Sequence, residues 1–303
     1  MSLSLSNIKR WYLMLMGKSI YHVNQSIGEV FNQNEIRGYY NNMIEKVTKV
    51  PELLDGEQLP QLEVSKGQMV YFPVAIFQYG LGAYDLYIKN KNELYLRKFT
   101  QCVNWALKHQ EKSGAWSNFF YIYPDHPYGA MAQGEGASLL IRAYMQTAED
   151  KYLEAAKKAI DFMLLPIEKG GTTDYSNDGV ILLEYPQRKA VMNGWIFAWW
   201  GLYDYVLVTK DSGQYKTLLD KSCSTLINFL PMFRETYWSK YDLTGRVASP
   251  FYHNLHVAQM EAMYILTGDD VFNQYALRWK SQQHNPFCKS IAFVIKAVQK
   301  LKE

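Results

Sequence analysis

The feature that most constrains the fold is a pattern that recurs along the 303-residue chain. Short polar turns start at Lys89, Thr147, Thr209 and Thr267, so one unit is roughly 60 residues long. An aromatic residue follows each turn and opens an amphipathic stretch. Each unit therefore predicts a helical hairpin. About four such hairpins in succession predict an all-α chain that closes into an (α/α) toroid, because closure covers the end faces that an open stack leaves exposed.

The stretch after the second turn illustrates the helical pattern. Its apolar residues recur at the spacing of one helix face: Tyr152, Ala156, Ala159, Ile160 and Met163. This spacing predicts a helix that buries one stripe against its neighbours. Thr147 with Asp150, and Thr267 with Asp270, have the spacing of a helix-start capping signal. We therefore expect these threonines to cap the second helices of their hairpins.

Composition bounds the number of domains and the kind of partner. Hydrophobic residues make up 48% of the chain and charged residues 20%, which suffices for one large core, and no stretch resembles a linker. We expect a toroidal catalytic domain at residues 66–303 and an N-terminal arm or extension, residues 1–65, packed on it. The net charge of +3, with both signs interspersed, argues against a nucleic-acid partner and allows an acidic substrate.

The cysteines and the N-terminus bear on the compartment. Cys102, Cys223 and Cys288 are odd in number and far apart, which favours a reducing compartment over a disulfide framework, so a cytoplasmic location is expected. The apolar run Trp11–Met16 is too short to span a bilayer, and a packed helix or arm is the expected structure. A membrane contact by Trp11–Met14 is the alternative. The oligomeric state is left open, with a homodimer compatible with the sequence.

Three long connections join successive hairpins, at residues 108–129, 166–191 and 231–251, and they are rich in Trp, Tyr, Pro and Gly. Structureless connections of this length are uncommon in compact domains and are usually functional. In an array of alternating helices the long connections lie at one end and the short turns at the other. We therefore predict that they form one mouth, with short strands at Val180–Leu183 and Thr236–Tyr241, and that this mouth holds the functional site.

Two clusters in or beside these connections combine acids, phenols and imidazoles. Glu184, which follows an apolar run, is a candidate base because a carboxylate beside buried apolar residues has a raised pKa. Tyr241 and Tyr252 are candidate proton donors, since a phenol with an ordinary pKa of about 10 stays protonated at neutral pH. The alternatives are a surface or capping glutamate and ordinary aromatic packing.

Further polar and aromatic residues are candidates for substrate binding. The polar candidates are Gln133, Asn193, Arg246, His253 and His256. Trp116 and Trp238 are candidates for stacking on sugar faces. His253, His256 and Gln259 can share one helical face, but no further Cys, His or carboxylate ligands stand at metal-binding spacing, so no metal site is predicted.

Several of these motifs, in this order, resemble the D-glucuronyl C5-epimerase family in its C-terminal α/α domain. The matching segments are Met131-Ala132-Gln133-Gly134, Arg142-Ala143-Tyr144, Glu184-Tyr185-Pro186, Asn193-Gly194, Gly201-Leu202-Tyr203-Asp204, Tyr241-Asp242-Leu243, and Tyr252-His253 with His256 and Gln259. The resemblance extends over roughly residues 70 to 282. Several ordered motifs are more specific than any one of them.

The resemblance implies an activity and roles for individual residues. Members of the family convert D-glucuronate to L-iduronate units within a glycosaminoglycan-like polymer such as heparosan, without a nucleotide or nicotinamide cofactor. By similarity, Glu184 and Tyr252 would be the acid and base on opposite faces of C5. Tyr185 and Tyr241 would assist as further catalytic phenols. The expected partner is an acidic, glucuronate-containing polysaccharide, and no cofactor is expected.

Three other functions fit parts of the same pattern. A polysaccharide lyase shares the first proton abstraction but expels the oxygen at C4. A glycoside hydrolase needs two carboxylates, and Glu135 or Asp242 would have to serve beside Glu184. A non-catalytic carbohydrate-binding module would keep the aromatic mouth and tolerate the loss of Glu184 and Tyr252.

Overall fold

The computed structural model describes residues 23–65 and 67–302. Four helical hairpins form the body of the chain. Their first helices are α2 (Pro73–Asn90), α4 (Ala130–Thr147), α6 (Met192–Thr209) and α8 (Pro250–Thr267). Their second helices are α3 (Glu93–His109), α5 (Asp150–Met163), α7 (Gln214–Phe229) and α9 (Asp270–His284). A short helix, α1 (Ile44–Thr48), precedes the array, and α10 (Pro286–Lys302) follows it. The predicted array of four helical hairpins is confirmed.

The first helix of each hairpin is an inner helix, and the second lies outside it. The inner helices α4 and α6 are buried on nearly every face, whereas α5 buries one apolar stripe. The stripe predicted on α5 is the one that is buried. Glycine brings α4 and α6 together, because a Cβ atom on Gly134 would lie 2.5 Å from Cα of Ala198.

The four hairpin turns end their inner helices in the same way. A residue in the left-handed conformation follows each inner helix: Lys91, Ala148, Lys210 and Gly268, with φ of 53°, 58°, 53° and 71°. The N–H group of each donates to the carbonyl oxygen four residues earlier, which satisfies a terminal carbonyl group of the helix. The predicted turn positions therefore agree with the observed ends of the helices.

The two predicted threonine caps are wrong. Thr147 and Thr267 are the last residues of inner helices, and their hydroxyls donate to the carbonyl oxygens of Ala143 (2.9 Å) and Met263 (2.7 Å). The same hydroxyls accept from the N–H groups of Glu149 (3.3 Å) and Asp269 (3.2 Å), the residues just before α5 and α9, rather than from N–H groups in the first turn of those helices. The N-cap of α9 is Asp269, whose carboxylate accepts from the N–H of Val271 at 2.9 Å.

Residues 110–129, 164–191 and 230–249 lead into the N-terminal ends of α4, α6 and α8, and we call the end where they meet the mouth. Strand β3 (Thr173–Asp174) pairs antiparallel with β4 (Ile181–Leu182), as one prediction required. The other predicted strand is reduced to isolated bridges at Ser239 and Lys240. An additional hairpin, β1 (Gln61–Ser65) with β2 (Gln68–Tyr71), precedes α2.

The segment at residues 38–40 covers the opposite end of the inner helices. The N–H of Tyr39 donates to the Asp85 carboxylate (3.0 Å), the Tyr40 hydroxyl donates to Asp204, and Arg142 donates to the carbonyl oxygen of Gly38 (2.8 Å). Asp85, Arg142 and Asp204 lie near the C-terminal ends of α2, α4 and α6. This segment therefore forms the floor of the array, opposite the mouth.

None of the helices in the described part of the chain is long and apolar enough to cross a lipid bilayer. The Trp11–Met14 stretch, with its alternative of a membrane contact, lies outside the described residues. The division into residues 1–65 and 66–303 stays a prediction. Tyr39 and Met43 share the hydrophobic core of the inner helices, with 0% of each side chain exposed.

Candidate active site

Glu184 lies at the mouth, on the chain between β4 and α6. The carbonyl oxygen of Leu183 accepts from the N–H of Ala130 at 2.8 Å, which ties the segment to the start of α4. The Glu184 side chain lies directly against Gly194, where an added Cβ atom would be 2.3 Å from Oε2 and 2.6 Å from Cβ of Glu184. The Asn193-Gly194 motif is thus explained locally, because only glycine leaves room for the carboxylate.

The Glu184 carboxyl is suited to accept a proton near neutral pH. Only 7% of the residue is exposed, and burial raises the pKa from 4.5 to about 7. A hydrogen bond with Tyr185 and the positive charge of Arg246 oppose this shift. Oε2 has no hydrogen-bond partner among the described residues. Glu184 is therefore not the surface or capping glutamate considered as the alternative.

Backbone pairing brings the second cluster to the first. Residues Val191 and Asp242 form a bridge, Met192 N–H donates to Tyr241 O at 3.3 Å, and Leu243 N–H donates to Ala190 O at 3.1 Å. The Tyr241-Asp242-Leu243 motif is held in this way beside the start of α6, next to the Glu184 segment.

The three predicted phenols are half-buried around Glu184. The ring centroids of Tyr241 and Tyr252 are 4.7 Å apart in an edge contact. Burial, followed by the charge of Glu184, raises the pKa of Tyr185 and of Tyr241 above the ordinary value of 10, and Tyr252 acts on both. The structure thus brings all four predicted catalytic residues into one electrostatically coupled group. At neutral pH Tyr185 and Tyr241 are proton donors.

Arg246 lies beside this group and is held by Asp242. Its Nε donates to Asp242 Oδ2 at 2.6 Å, and Nη2 donates to the same oxygen. The guanidinium carbon is 5.4 Å from the centroid of the Tyr241 ring. Arg246 therefore orients the Tyr241 loop and supplies positive charge that acts on Glu184.

Helix α10 fixes the same loop from outside. The Gln299 side chain accepts from Val247 N–H at 2.9 Å and donates to Gly245 O at 3.2 Å. Lys296 Nζ donates to Val247 O at 2.8 Å. Through these bonds to residues 245 and 247, α10 helps to fix the positions of Tyr241 and Arg246.

Asn193 and Gln259 are joined by a hydrogen bond between the inner helices α6 and α8. Asn193 is 3% exposed, and its Oδ1 has no partner among the described residues. Gln259 Nε2 donates to the backbone oxygen of Asn193 at 3.1 Å, while Gln259 Oε1 also has no partner in the described part of the chain. Asn193, the second residue of α6, lies nearer the mouth than Gln259, which is 0% exposed and enclosed by protein. The predicted substrate contact of Asn193 stays a prediction.

The two histidines are buried and share one serine neighbour. Ser239 Oγ lies 2.8 Å from Nδ1 of His253 and 2.9 Å from Nδ1 of His256. His253 Nε2 donates to the carbonyl oxygen of Trp279 at 3.0 Å, so both of its nitrogens are in use. Burial lowers the pKa of His253 to about 3 and lowers that of His256 as well, so both are neutral. The predicted contact of His253 with substrate is not supported, and His256 offers only Nε2.

Trp116, Trp238 and Gln133 have structural positions. Trp116 and Trp238 are each 1% exposed, and their indole N–H groups donate to backbone carbonyls. Gln133 accepts from Trp116 N–H at 2.9 Å and donates to the backbone oxygens of Trp116 and Gly129. The predicted stacking of the two indoles on sugar, and the predicted substrate contact of Gln133, are not supported because these groups are enclosed by protein.

A second buried carboxylate, Glu135 on α4, lies deeper than Glu184. It is 0% exposed and accepts from Gln78 Nε2 at 2.8 Å. Its pKa is raised to about 8, chiefly by burial and to a smaller extent by the charge of Glu184, against the hydrogen bond from Gln78 and the charge of Lys46. From the sequence, Glu135 is only an alternative second carboxylate for a glycoside hydrolase. Glu135, Ser138 and Arg142 are spaced so that they share one face of α4, and this spacing is the sequence signal that Glu135 faces the interior.

Comparison with solved structures defines the fold class. The chain is similar to cellobiose 2-epimerase from Bacillus thermoamylovorans B4167, with a TM-score of 0.55 and 11% identity over 92% of this chain and 87% of that chain. At such low identity the likeness shows the fold alone. The predicted α/α toroid is confirmed.

The family follows from the sequence itself. The family model of the D-glucuronyl C5-epimerase C-terminus matches residues 101–281, and the chain belongs to this family. It is 25% identical over 232 residues to D-glucuronyl C5-epimerase of Caenorhabditis elegans, covering 65% of this chain and 38% of that protein. It is 31% identical over 158 residues to an uncharacterized protein of Methanocaldococcus jannaschii, covering 50% and 51%. The chain thus matches about half, or less, of the length of these curated relatives.

Proposed function

We propose that the protein is a carbohydrate epimerase that converts D-glucuronate to L-iduronate units within a glucuronate-containing polysaccharide such as heparosan. The observation that carries the proposal is the buried Glu184 carboxyl, with a pKa of about 7, among the half-buried phenols of Tyr185, Tyr241 and Tyr252. Membership of the family supports the same activity.

The proposed reaction moves one proton off C5 and returns one to the other face. Glu184 removes the C5 proton, and the electron pair of the broken C–H bond delocalises into the adjacent carboxylate. Tyr252 then donates a proton to the opposite face, which inverts C5. The reverse reaction exchanges the two roles. Because the oxidation state of the sugar does not change, the scheme requires no redox cofactor.

The intermediate of this scheme carries additional negative charge on the carboxyl oxygens of the sugar. Donors aimed at those oxygens lower the barrier in a site from which water is largely excluded. Tyr185 and Tyr241 are protonated phenols, and Arg246 contributes positive charge beside them. We assign these three residues to stabilisation of the intermediate.

Solvent exchange tests the proposal directly. Incubation with heparosan in deuterated water is expected to introduce deuterium at C5 and to produce iduronate, both measured by NMR. Unsaturated uronate would instead identify a lyase, and shorter saturated chains a hydrolase. Bound but unchanged polymer would identify a binding module.

Two substitutions test the assigned roles. Glu184→Gln and Tyr252→Phe are each expected to lower the exchange rate by at least about 100-fold, the contribution typical of a positioned acid or base. Glu154→Gln, at an exposed position of α5, and Tyr144→Phe, near the floor end of α4, are the matched controls and should exchange normally. Normal exchange in a folded Glu184→Gln or Tyr252→Phe variant, checked by circular dichroism, would falsify that assignment.

A further inference from the structure

The connection between α3 and α4 carries an exposed apolar tip. Phe120, Tyr121 and Ile122 are 58%, 53% and 58% exposed. Isolated apolar side chains are common on protein surfaces, but a run of three consecutive ones is avoided unless it serves binding. The tip is therefore a candidate contact surface.

The tip belongs to a well-formed loop. The N–H groups of Asn118 and Phe119 both donate to Pro127 O, at 2.9 and 2.7 Å, which closes the two ends. Within it, the N–H groups of Ile122 and Tyr123 donate to Phe119 O at 2.8 and 2.7 Å. We call residues 118–127 the aromatic loop. Its backbone bonds hold the tip outward, so the exposure is a property of the loop's fold.

The aromatic loop is continuous with the candidate active site. The ring of Phe119 lies 4.4 Å from that of Tyr185, and the ring of Tyr123 lies 6.1 Å from it, measured between centroids. Gln187 Nε2 donates to His126 O at 2.8 Å, which joins the loop to the segment after Glu184. A chain-like ligand with one unit beside Tyr185 would reach the loop with the next units.

Arg188 adds a positive charge at this junction. Its exposed guanidinium carbon is 5.3 Å from the centroid of Tyr123 and 5.5 Å from that of Tyr185. Arg246 and Lys240 at the same mouth are each paired with a carboxylate. Arg188 has no carboxylate within ion-pairing distance in the described part of the chain, so its charge is available to an anionic ligand.

We propose that the aromatic loop and Arg188 form a subsite for uronate units next to the unit in the active site. The rings of Phe120 and Tyr121 would stack on sugar faces, and Arg188 would pair with a uronate carboxylate. The combination of aromatic surface and one unpaired cation matches an acidic polysaccharide. This inference rests on the proposed function for the class of ligand, but it concerns binding rather than proton transfer.

Calorimetric binding of heparosan and of carboxyl-reduced heparosan tests the subsite. Arg188→Gln is expected to weaken binding of heparosan about tenfold, equivalent to about 1.4 kcal/mol, and to leave the reduced polymer nearly unaffected. The double variant Phe120→Ser/Tyr121→Ser should weaken binding of both polymers. Lys189→Gln, the exposed neighbour of Arg188, and Phe293→Ser, 45% exposed on α10, are the controls and should bind as the unmodified protein does.

Exchange at C5 separates failure of the subsite from failure of the proposed function. With an active enzyme, Phe120→Ser/Tyr121→Ser should raise KM for polymer and change kcat less than about twofold, since it spares the proton-transfer groups. Arg188→Gln should raise KM by more than it lowers kcat, because Arg188 also lies 5.5 Å from the ring of Tyr185. Loss of binding in these variants of a protein that exchanges no glucuronate polymer would support the subsite and reject the activity. Binding equal to that of the controls would overturn the subsite. Unchanged polymer binding together with loss of self-association, measured by sedimentation, would also overturn the subsite. The same holds for unchanged polymer binding together with loss of binding to phosphatidylglycerol vesicles.

Discussion

Glu184 shows how one residue can set the pH dependence of the whole reaction. Burial raises its pKa to about 7, so below that pH the carboxyl holds the proton that it would have to accept. We expect kcat/KM for C5 exchange to fall about tenfold per pH unit below pH 6 and to level off above pH 8. A pH–rate profile measures this limb.

The same profile contains an internal check. The charge of Arg246 lowers the pKa of Glu184, so Arg246→Gln should move the midpoint of the acid limb to higher pH. An acid limb that stays in place in this variant, or a profile that is flat between pH 5 and 8 in the unmodified protein, would contradict the role of Glu184 as base.

Gly194 gives a second prediction at the scale of a residue. An added Cβ atom would overlap the Glu184 side chain, so Gly194→Ala should displace the carboxylate and lower kcat at least about tenfold. Gly213→Ala is the matched control, because its Cβ atom would meet only Asp211, at 3.6 Å. Equal kcat values for the two variants would show that the position of Glu184 beside Gly194 is not required for activity.

Helix α10 provides a prediction at the scale of an element. Gln299→Leu removes both hydrogen bonds to residues 245 and 247, each typically worth about 1 kcal/mol, and loosens the loop that holds Tyr241. We expect kcat to fall several-fold with a small loss of thermal stability. Ser290→Ala, which removes a hydroxyl of the same helix bonded only within it, should leave kcat unchanged. A result in which both variants keep full activity would separate α10 from the site.

The elements that the sequence predicts are those defined by local pattern. The polar turns and the buried stripe of α5 follow from periodicity and agree with the structure. Runs this short are ambiguous from sequence alone, and Ile181–Leu182 forms a strand while Ser239 and Lys240 make only isolated bridges. The threonine caps are wrong because the observed N-caps are Glu149 and Asp269, each two residues beyond the threonine that the spacing predicts.

Side-chain roles were predictable only in part. The motifs place Glu184 and the three phenols together, because Glu184, Tyr185 and Tyr241 lie in connections at the mouth and Tyr252 lies in the first turn of α8. Trp116 and Trp238 have the residue type that stacks on sugars, yet tertiary packing encloses them. Neither Glu135 nor Arg188 is predicted as a binding residue, because the groups around each of them come from separate helices and loops.

The floor of the array gives a prediction at the scale of the molecule. Arg142 and Asp204 form an ion pair of 2.6 Å in which neither side chain is exposed. Removing one partner leaves a buried charge uncompensated, so Arg142→Met or Asp204→Asn should lower the free energy of unfolding by about 3 to 5 kcal/mol. Urea denaturation measures the change. Asp220→Asn, which breaks an exposed pair with Lys216, is the control and should cost less than about 1 kcal/mol.

The floor also determines how a long ligand can enter and leave the ring. Residues 38–40 bind three of the inner helices and cover the end opposite the mouth. Under the proposed function a long polymer cannot thread through such a ring. It would lie across the rim of the mouth, place one sugar in the site, and withdraw the converted sugar through the same opening. Such a site sets no upper limit on the length of the polymer.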